Sequence, residues 1–291
     1  MKTKTYFGLF ILAAAIISLS GCAAKKAAWG SLEKGMIMKY SFQEGQELNY
    51  QNTLTFEQNM KVMEQEFEVK AEGDQLLNML TLAGESTDHD LRVTVKEMRS
   101  DIQSPRGKMS ANVDGVLNKP FKITVDLTGQ EIEFSEAEAL VIEYETGESR
   151  TIASDIQGFF PDLPDRPVMQ GDSWESTDYI TEKTGSGKMI MDMKNLNTFE
   201  KLENYNGYEC MKINVVFSGI ITGSGEEQGM TLITEGTLKG TSTWYFAYKE
   251  GLYVGQTLDG SGETKTEITG PQEMTLPATR TYKMKTELVN K

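Results

Sequence analysis

Leu48-Asn49-Tyr50-Gln51-Asn52-Thr53-Leu54-Thr55-Phe56 alternates side chains two by two, with Leu48, Tyr50, Asn52, Leu54 and Phe56 in one phase and polar residues in the other. Successive side chains of a strand point to opposite faces, so this stretch puts one face on a core and the other in water. The period recurs at Phe67, Val69 and Ala71, at Leu91, Val93 and Val95, and at Phe121, Ile123, Val125 and Leu127. Further strands are predicted at Trp174–Ile180, Lys188–Lys194, Tyr208–Ile220, Thr231–Tyr248, Leu252–Leu258 and Thr281–Val289. Glycine- and proline-bearing stretches are read as the turns between strands: Glu72-Gly73-Asp74, Ser104-Pro105-Arg106-Gly107, Asp114-Gly115, Thr128-Gly129, Gly185-Ser186-Gly187, Gly223-Ser224-Gly225, Glu250-Gly251 and Gly260-Ser261-Gly262. Such alternation belongs to antiparallel sheet with one wet face. The chain is therefore expected to be mainly β, a large antiparallel curved sheet or a sandwich.

One interval breaks the pattern. Ser135-Glu136-Ala137-Glu138 has the form of a capping box, and the Ala-, Leu- and Glu-rich run to about Glu145 predicts a helix ended by Gly147. A shorter helical piece is expected from Arg150 to Gln157. Three prolines follow, at 161, 164 and 167, in an ordered connector that packs Phe159, Phe160 and Leu163 onto the body. Around this connector (135–167) stand two β half-units, 38–134 and 168–291. They look related: Glu44-Gly45-Gln46-Glu47-Leu48 opens the first and Gln170-Gly171-Asp172-Ser173-Trp174 the second.

The net charge is -14, with 43 acidic and 29 basic residues. A surface this acidic repels phosphate backbones and argues against a nucleic-acid partner. There are two cysteines and one histidine. Cys210 lies in a strand-like run and reads as a buried, inert thiol. His89, between Asp88 and Asp90, reads as an ordinary residue of a polar turn. A single histidine makes common zinc sites and a Ser-His-Asp triad hard to build. No P-loop, dinucleotide fingerprint or Gly-x-Ser-x-Gly is present, so no cofactor is expected. Asp259-Gly260-Ser261-Gly262-Glu263 lacks the ligand pattern of an EF-hand and reads as a turn. Met189, Met191 and Met193 share one strand face. Alternate thioethers can hold Cu(I), but pliable apolar packing is their commoner use, here as the lining of a core or an apolar ligand site.

The N-terminus carries the most specific motif. Lys2 and Lys4, the apolar run Tyr6–Leu19 and then Leu19-Ser20-Gly21-Cys22 have the order and spacing of a secretory signal peptide. The last four residues resemble the lipobox of bacterial lipoproteins. The resemblance implies cleavage after Gly21 and lipidation of Cys22, with residues 1–21 the signal and 22–37 a tether. Loss of Lys2 and Lys4 would take the charge from -14 to -16. Ala23, where enterobacterial lipoproteins kept at the inner membrane carry Asp, leans toward the outer membrane and periplasm in a Gram-negative source. Four stretches, Tyr40–Gly45, Lys119–Gly129, Leu163–Trp174 and Thr243–Leu252, also resemble a family of bacterial envelope lipoproteins known by a domain-of-unknown-function label. That resemblance implies secretion and a β-rich body and brings no catalytic residue.

The function expected on these grounds is non-enzymatic: a protein anchored to a membrane through lipid on Cys22 that binds an apolar ligand, such as a lipid, or an envelope protein. A structural or assembly role in the envelope is the second reading. A glycan hydrolase using two of the many carboxylates is the third.

Overall fold

The computed structural model describes residues 29–289 except 63–64, 85–86, 106, 146, 228 and 272. Its strands are β1 (Gly30–Ser31), β2 (Gly35–Met36), β3 (Glu47–Val62), β4 (Gln65–Thr81), β5 (His89–Ser104), β6 (Gly107–Asn112), β7 (Pro120–Val125) and β8 (Glu131–Glu133). They continue with β9 (Val141–Tyr144), β10 (Ser149–Thr151), β11 (Ser173–Lys183), β12 (Gly187–Tyr205), β13 (Tyr208–Glu227), β14 (Met230–Ala247), β15 (Leu252–Thr269) and β16 (Met274–Leu288). The main sheet runs β10-β9-β6-β5-β4-β3-β16-β15-β14-β13-β12-β11, with β7 and β8 branching from β5. Neighbours are antiparallel throughout, as the alternation predicts.

The sheet curls until its two ends meet. Arg150 of β10 bridges Thr184 at the end of β11, and the Gly185 N–H donates to the Ser149 carbonyl at 3.0 Å. Below that point Gln157 stands in for a neighbouring strand: Thr181 N–H donates to its Oε1 at 2.9 Å, and its Nε2 donates to the Thr181 carbonyl at 3.1 Å. The seam thus leaves no Thr181 backbone group unpaired, which is what an exposed edge would cost.

The upper end of the curl is filled. Leu48 and Tyr50 of β3, Leu77 and Met79 of β4, Leu91, Val93 and Val95 of β5, and Trp244 and Phe246 of β14 all bury their inward side chains. Against them lie Met38, Tyr40 and Phe42 from the lead-in and Phe159, Phe160 and Leu163 from the proline-rich connector, as expected. The polar ends of the large aromatics are satisfied. Tyr50 Oη donates to the Tyr253 carbonyl at 2.8 Å, Tyr40 Oη to the Pro161 carbonyl at 3.0 Å and Trp244 Nε1 to Asn197 Oδ1 at 3.3 Å.

The expected helices are not formed. Ser135–Ala139 and Ile152–Asp155 are single 3-10 turns, and between them β9 and β10 add two strands to the sheet. The capping box is dismantled by other partners: Ser135 N–H donates to Glu133 Oε1, while Glu138 receives Lys183 Nζ at 2.7 Å. The β-branched pair Val141-Ile142 and the open edge of β6 override the local helical preference. Residues 30–36, expected as tether, form the β1–β2 hairpin, and Met36 of that hairpin bridges Val168.

Three glycine stretches read as turns lie inside strands. Gly73 is in β4, Gly223 and Gly225 are in β13, and Gly260 and Gly262 are in β15. At Gly225, Gly260 and Gly262 the reason is the tightness of the curl, whereas a Cβ on Gly73 would meet nothing closer than 3.6 Å. A Cβ on Gly240 would stand 2.2 Å from the Asp259 carbonyl oxygen and 2.4 Å from Phe217 Cζ, and one on Gly236 2.3 Å from the Glu263 carbonyl oxygen. Glycine in mid-strand marks such bends and close approaches. Gly240→Val is expected to destabilise the protein by about 2–4 kcal/mol, because β14 would have to move away from β15 and Phe217. A denaturant midpoint unchanged from wild type would refute this account of the curl.

The two half-unit openers are built alike. Gly45 and Gly171 both have positive φ, 75° and 91°. Gly45 N–H donates to the Thr81 carbonyl, and Thr81 N–H to the Gln46 carbonyl; Gly171 N–H donates to the Phe199 carbonyl, and Phe199 N–H to the Asp172 carbonyl.

Candidate functional site

Below the aromatic plug the strands continue for ten residues or more, and their inward phase changes character. Met189, Met191 and Met193 of β12 point inward, as do Phe56 and Met60 of β3, Phe67 and Val69 of β4, and Leu276 of β16. All are half-buried rather than buried. The sequence-predicted methionine row is thus brought together on the concave face, packed at its upper end against the core.

The opposite wall is close. Arg280 Nη1 of β16 lies 3.7 Å from Met189 Sδ. β12 and β16 are four strand spacings apart in the sheet, which would be about 19 Å if it were flat. Contact between their side chains requires the sheet to fold back on itself, so the lower lumen is pinched to a narrow slot with the methionine row on one side and Arg280 on the other.

A polar layer lines the slot at the level of Met189, which pairs with Glu182 of β11. Arg150 grips Asp155 through two bonds, Nη1–Oδ1 at 2.6 Å and Nη2–Oδ2 at 3.3 Å. Gln75 Nε2 donates to Asp155 Oδ2 at 3.4 Å, and Asn52 Nδ2 to Gln75 Oε1 at 3.5 Å. Glu182 of β11 stands in the field of both arginines; desolvation nonetheless pushes its carboxyl above the usual range. Buried atoms without a hydrogen-bond partner include Arg280 Nε, Tyr282 Oη, Asn52 Oδ1 and Thr151 Oγ1.

A second group of acids surrounds the connector. Burial raises Glu131 to about 8, although its two oxygens accept from Phe160 N–H at 3.0 Å and Gly158 N–H at 3.1 Å. Asp162 is raised to about 7 by burial and then by the charges of Asp178 and Asp126. Asp178 is itself raised by burial, and Asn195 Nδ2 donates to it at 2.7 Å. Both oxygens of Glu131 are spent on the backbone of the connector, so its role is that of a latch for the plug.

Other sequence candidates fall as follows. Cys22 and the signal segment lie outside the described residues. Cys210 is buried in β13, and burial pushes its thiol up to about 12, which keeps it unreactive. His89 is not a loop residue: it opens β5, pairs with Val125, and its ring meets Phe42 edge-on at 5.1 Å. Asp259 to Glu263 is mid-strand rather than a turn. The thioether of Met189 faces a guanidinium, a poor setting for Cu(I). Among the described residues no cluster of three or more His, Cys, Asp or Glu suits a metal ion. A broad open hollow of about 980 Å³ crosses β4, β3, β16, β15, β14 and β13; Met60, Ile221 and Ala278 line it together with threonines and the charged Lys61, Glu66, Glu235, Glu263 and Lys265, and it shares Met60 with the lower lumen.

No sequence motif marked the polar layer, whose members are spread from Asn52 to Tyr282. One signal was available. Met274, Leu276, Ala278, Arg280, Tyr282 and Met284 form the inward phase of β16, and Arg280 is the single charge in it.

A curled antiparallel sheet with a plugged upper end and a slotted lower end is the class of structure this chain defines. No protein-family model matches it, and no curated protein does. Similar solved structures include Pseudomonas aeruginosa OccK5 (OpdH), at 9% identity and a TM-score of 0.24 over 86% of this chain and 100% of that one. OccK8 (OprE) of the same organism stands at 7% and 0.22 over 86% and 100%, and its OccD3 (OpdP) at 6% and 0.22 over 88% and 95%. At these TM-scores the likeness carries no argument about fold or function.

Proposed function

We propose that this chain is a lipid-anchored protein of the bacterial envelope that binds an apolar ligand in the slot between the methionine row and β16. The observation that carries the reading is the half-buried state of Met189, Met191 and Met193 on a concave face, below a core that is otherwise filled. Flexible thioethers adapt to ligands of varied shape, and concave apolar faces with a few polar groups are the usual form of a ligand site. The anchor rests on Leu19-Ser20-Gly21-Cys22. Stable tethering needs two acyl chains, which lipidation of Cys22 supplies.

Two measurements test it. Cys22→Ser is expected to move the chain from the membrane fraction to the soluble fraction, with its folded body unchanged by circular dichroism. Native mass spectrometry of protein extracted from membranes is expected to show the chain with a bound lipid. A Cys22→Ser chain that still sediments with membranes would sink the anchor, and a chain that carries no lipid would sink the ligand reading.

A further inference from the structure

Arg280 is the unusual group in the slot. Arg150, the other arginine of the layer, is neutralised by Asp155. Arg280 has no carboxylate within 4 Å among the described residues; its one hydrogen-bonding contact is the weakly accepting sulfur of Met189. Its Nε is enclosed without a partner. Two residues further along the same inward phase, Tyr282 Oη is also enclosed without a partner. The Tyr282 ring lies across Gly260 of the neighbouring strand, where a Cβ would come within 2.2 Å of it. That glycine leaves the room in which the ring sits.

Both unpartnered groups are donors: a guanidinium N–H and a phenolic O–H. What they lack is an acceptor. A guanidinium keeps its charge at any pH the envelope meets, so a largely buried one without an ion-pair partner within 4 Å is costly until an anion joins it. Glu182 is the nearest influence of opposite sign, but burial works against its ionisation, and it shares its field with Arg150. Arg280 as a residue keeps partial exposure, so a head group can reach it. Directly beside its Nη1 begins the row Met189, Met191, Met193.

We propose that the slot takes an amphiphile with an anionic oxygen head, a carboxylate or a phosphate, with the head on Arg280 and Tyr282 and the chain along Met189, Met191 and Met193. This rests on the apolar-ligand reading above and names the chemistry of the ligand's polar end. A charge-assisted bond to arginine is short and strong, and the bidentate fork fits either head.

The test uses the delipidated full chain and three probes of equal chain length: oleate, oleoyl lysophosphatidylglycerol and the uncharged methyl oleate. Wild type is expected to bind one or both anionic probes about tenfold more tightly than methyl oleate, the worth of one charge-assisted hydrogen bond. The tighter of the two identifies the head. Arg280→Met is expected to lose that preference and to bind the three probes alike, and Arg280→Lys to keep part of it. Because it removes an unpaired buried charge, Arg280→Met should also raise the Tm of the ligand-free protein. Equal affinity of wild type for oleate, the lysophospholipid and methyl oleate overturns the head assignment and leaves the apolar-ligand reading standing. Binding of none of the three overturns both. The wild-type comparison stands alone if a variant does not fold.

Discussion

Phe160→Ala lowers the free energy of unfolding by about 3–5 kcal/mol, the range for removing a fully buried phenylalanine. The upper part of that range is expected here. Phe160 is 1% exposed, and its ring touches those of Tyr40, Phe42, Tyr50, Phe159 and Tyr253, with centroids 5.0–6.5 Å away. Rings on three separate segments cannot all collapse into the space it leaves, because Tyr40 and Tyr50 are also held by hydrogen bonds to Pro161 and Tyr253. Urea titration followed by tryptophan fluorescence should show a lower midpoint with an unchanged slope. A loss below about 1 kcal/mol would mean that the plug is not the centre of stability.

Stability should fall as pH rises from 5 to 8. Glu131 titrates at about 8 in the folded chain against 4.5 unfolded, and Asp162 at about 7 against 3.8. Folded values above unfolded ones mean that the protein favours the protonated acids. Their contribution is complete below the unfolded values and disappears as pH passes through the folded ones. Together they should remove several kcal/mol across that interval. Asp90, Asp101, Glu200 and Glu209 act oppositely: side-chain hydrogen bonds hold them below their ordinary values, so their contribution is lost only at strongly acid pH. They are surface pairs and contribute little. Maximum stability is therefore expected near pH 5. Glu131→Gln keeps an acceptor for Phe160 N–H but cannot ionise, so its stability should vary less over pH 5–8. Parallel pH profiles for variant and wild type would remove Glu131 as the cause.

The strands were readable because half-burial writes itself as period two. Leu48 to Phe56, Phe67 to Ala71 and the methionine row all lie in the phase that alternation assigned to them. Their lengths were not readable, because glycine serves two ends. Gly185-Ser186-Gly187 does lie at a hairpin, whereas Gly223-Ser224-Gly225 and Gly260-Ser261-Gly262 run straight through strands that bend too sharply for a Cβ. Ser135 to Glu145 misled for another reason. Its composition favours helix locally, but an unpaired β6 edge lay within reach, and tertiary pairing outweighs a propensity of a few tenths of a kcal/mol per residue. The polar layer was hidden because Asn52, Gln75, Asp155, Glu182 and Arg280 meet only after the sheet has curled. Arg280 alone announced itself, as a charge in an apolar phase.

The position of β16 bears on how such a chain comes together. It follows every other strand in sequence yet lies in the middle of the sheet, between β15 and β3, where Leu288 pairs with Tyr50. Until it docks, β3–β10 and β11–β15 are two ribbons that meet at the β10–β11 seam, each with a bare edge that could pair with another chain. The contact that unites them spans most of the polypeptide, and long-range pairings of this kind are slow to form. Assembly is thus delayed until nearly the whole chain is present. That delay makes loss of β16 a route to aggregation rather than to a smaller folded protein.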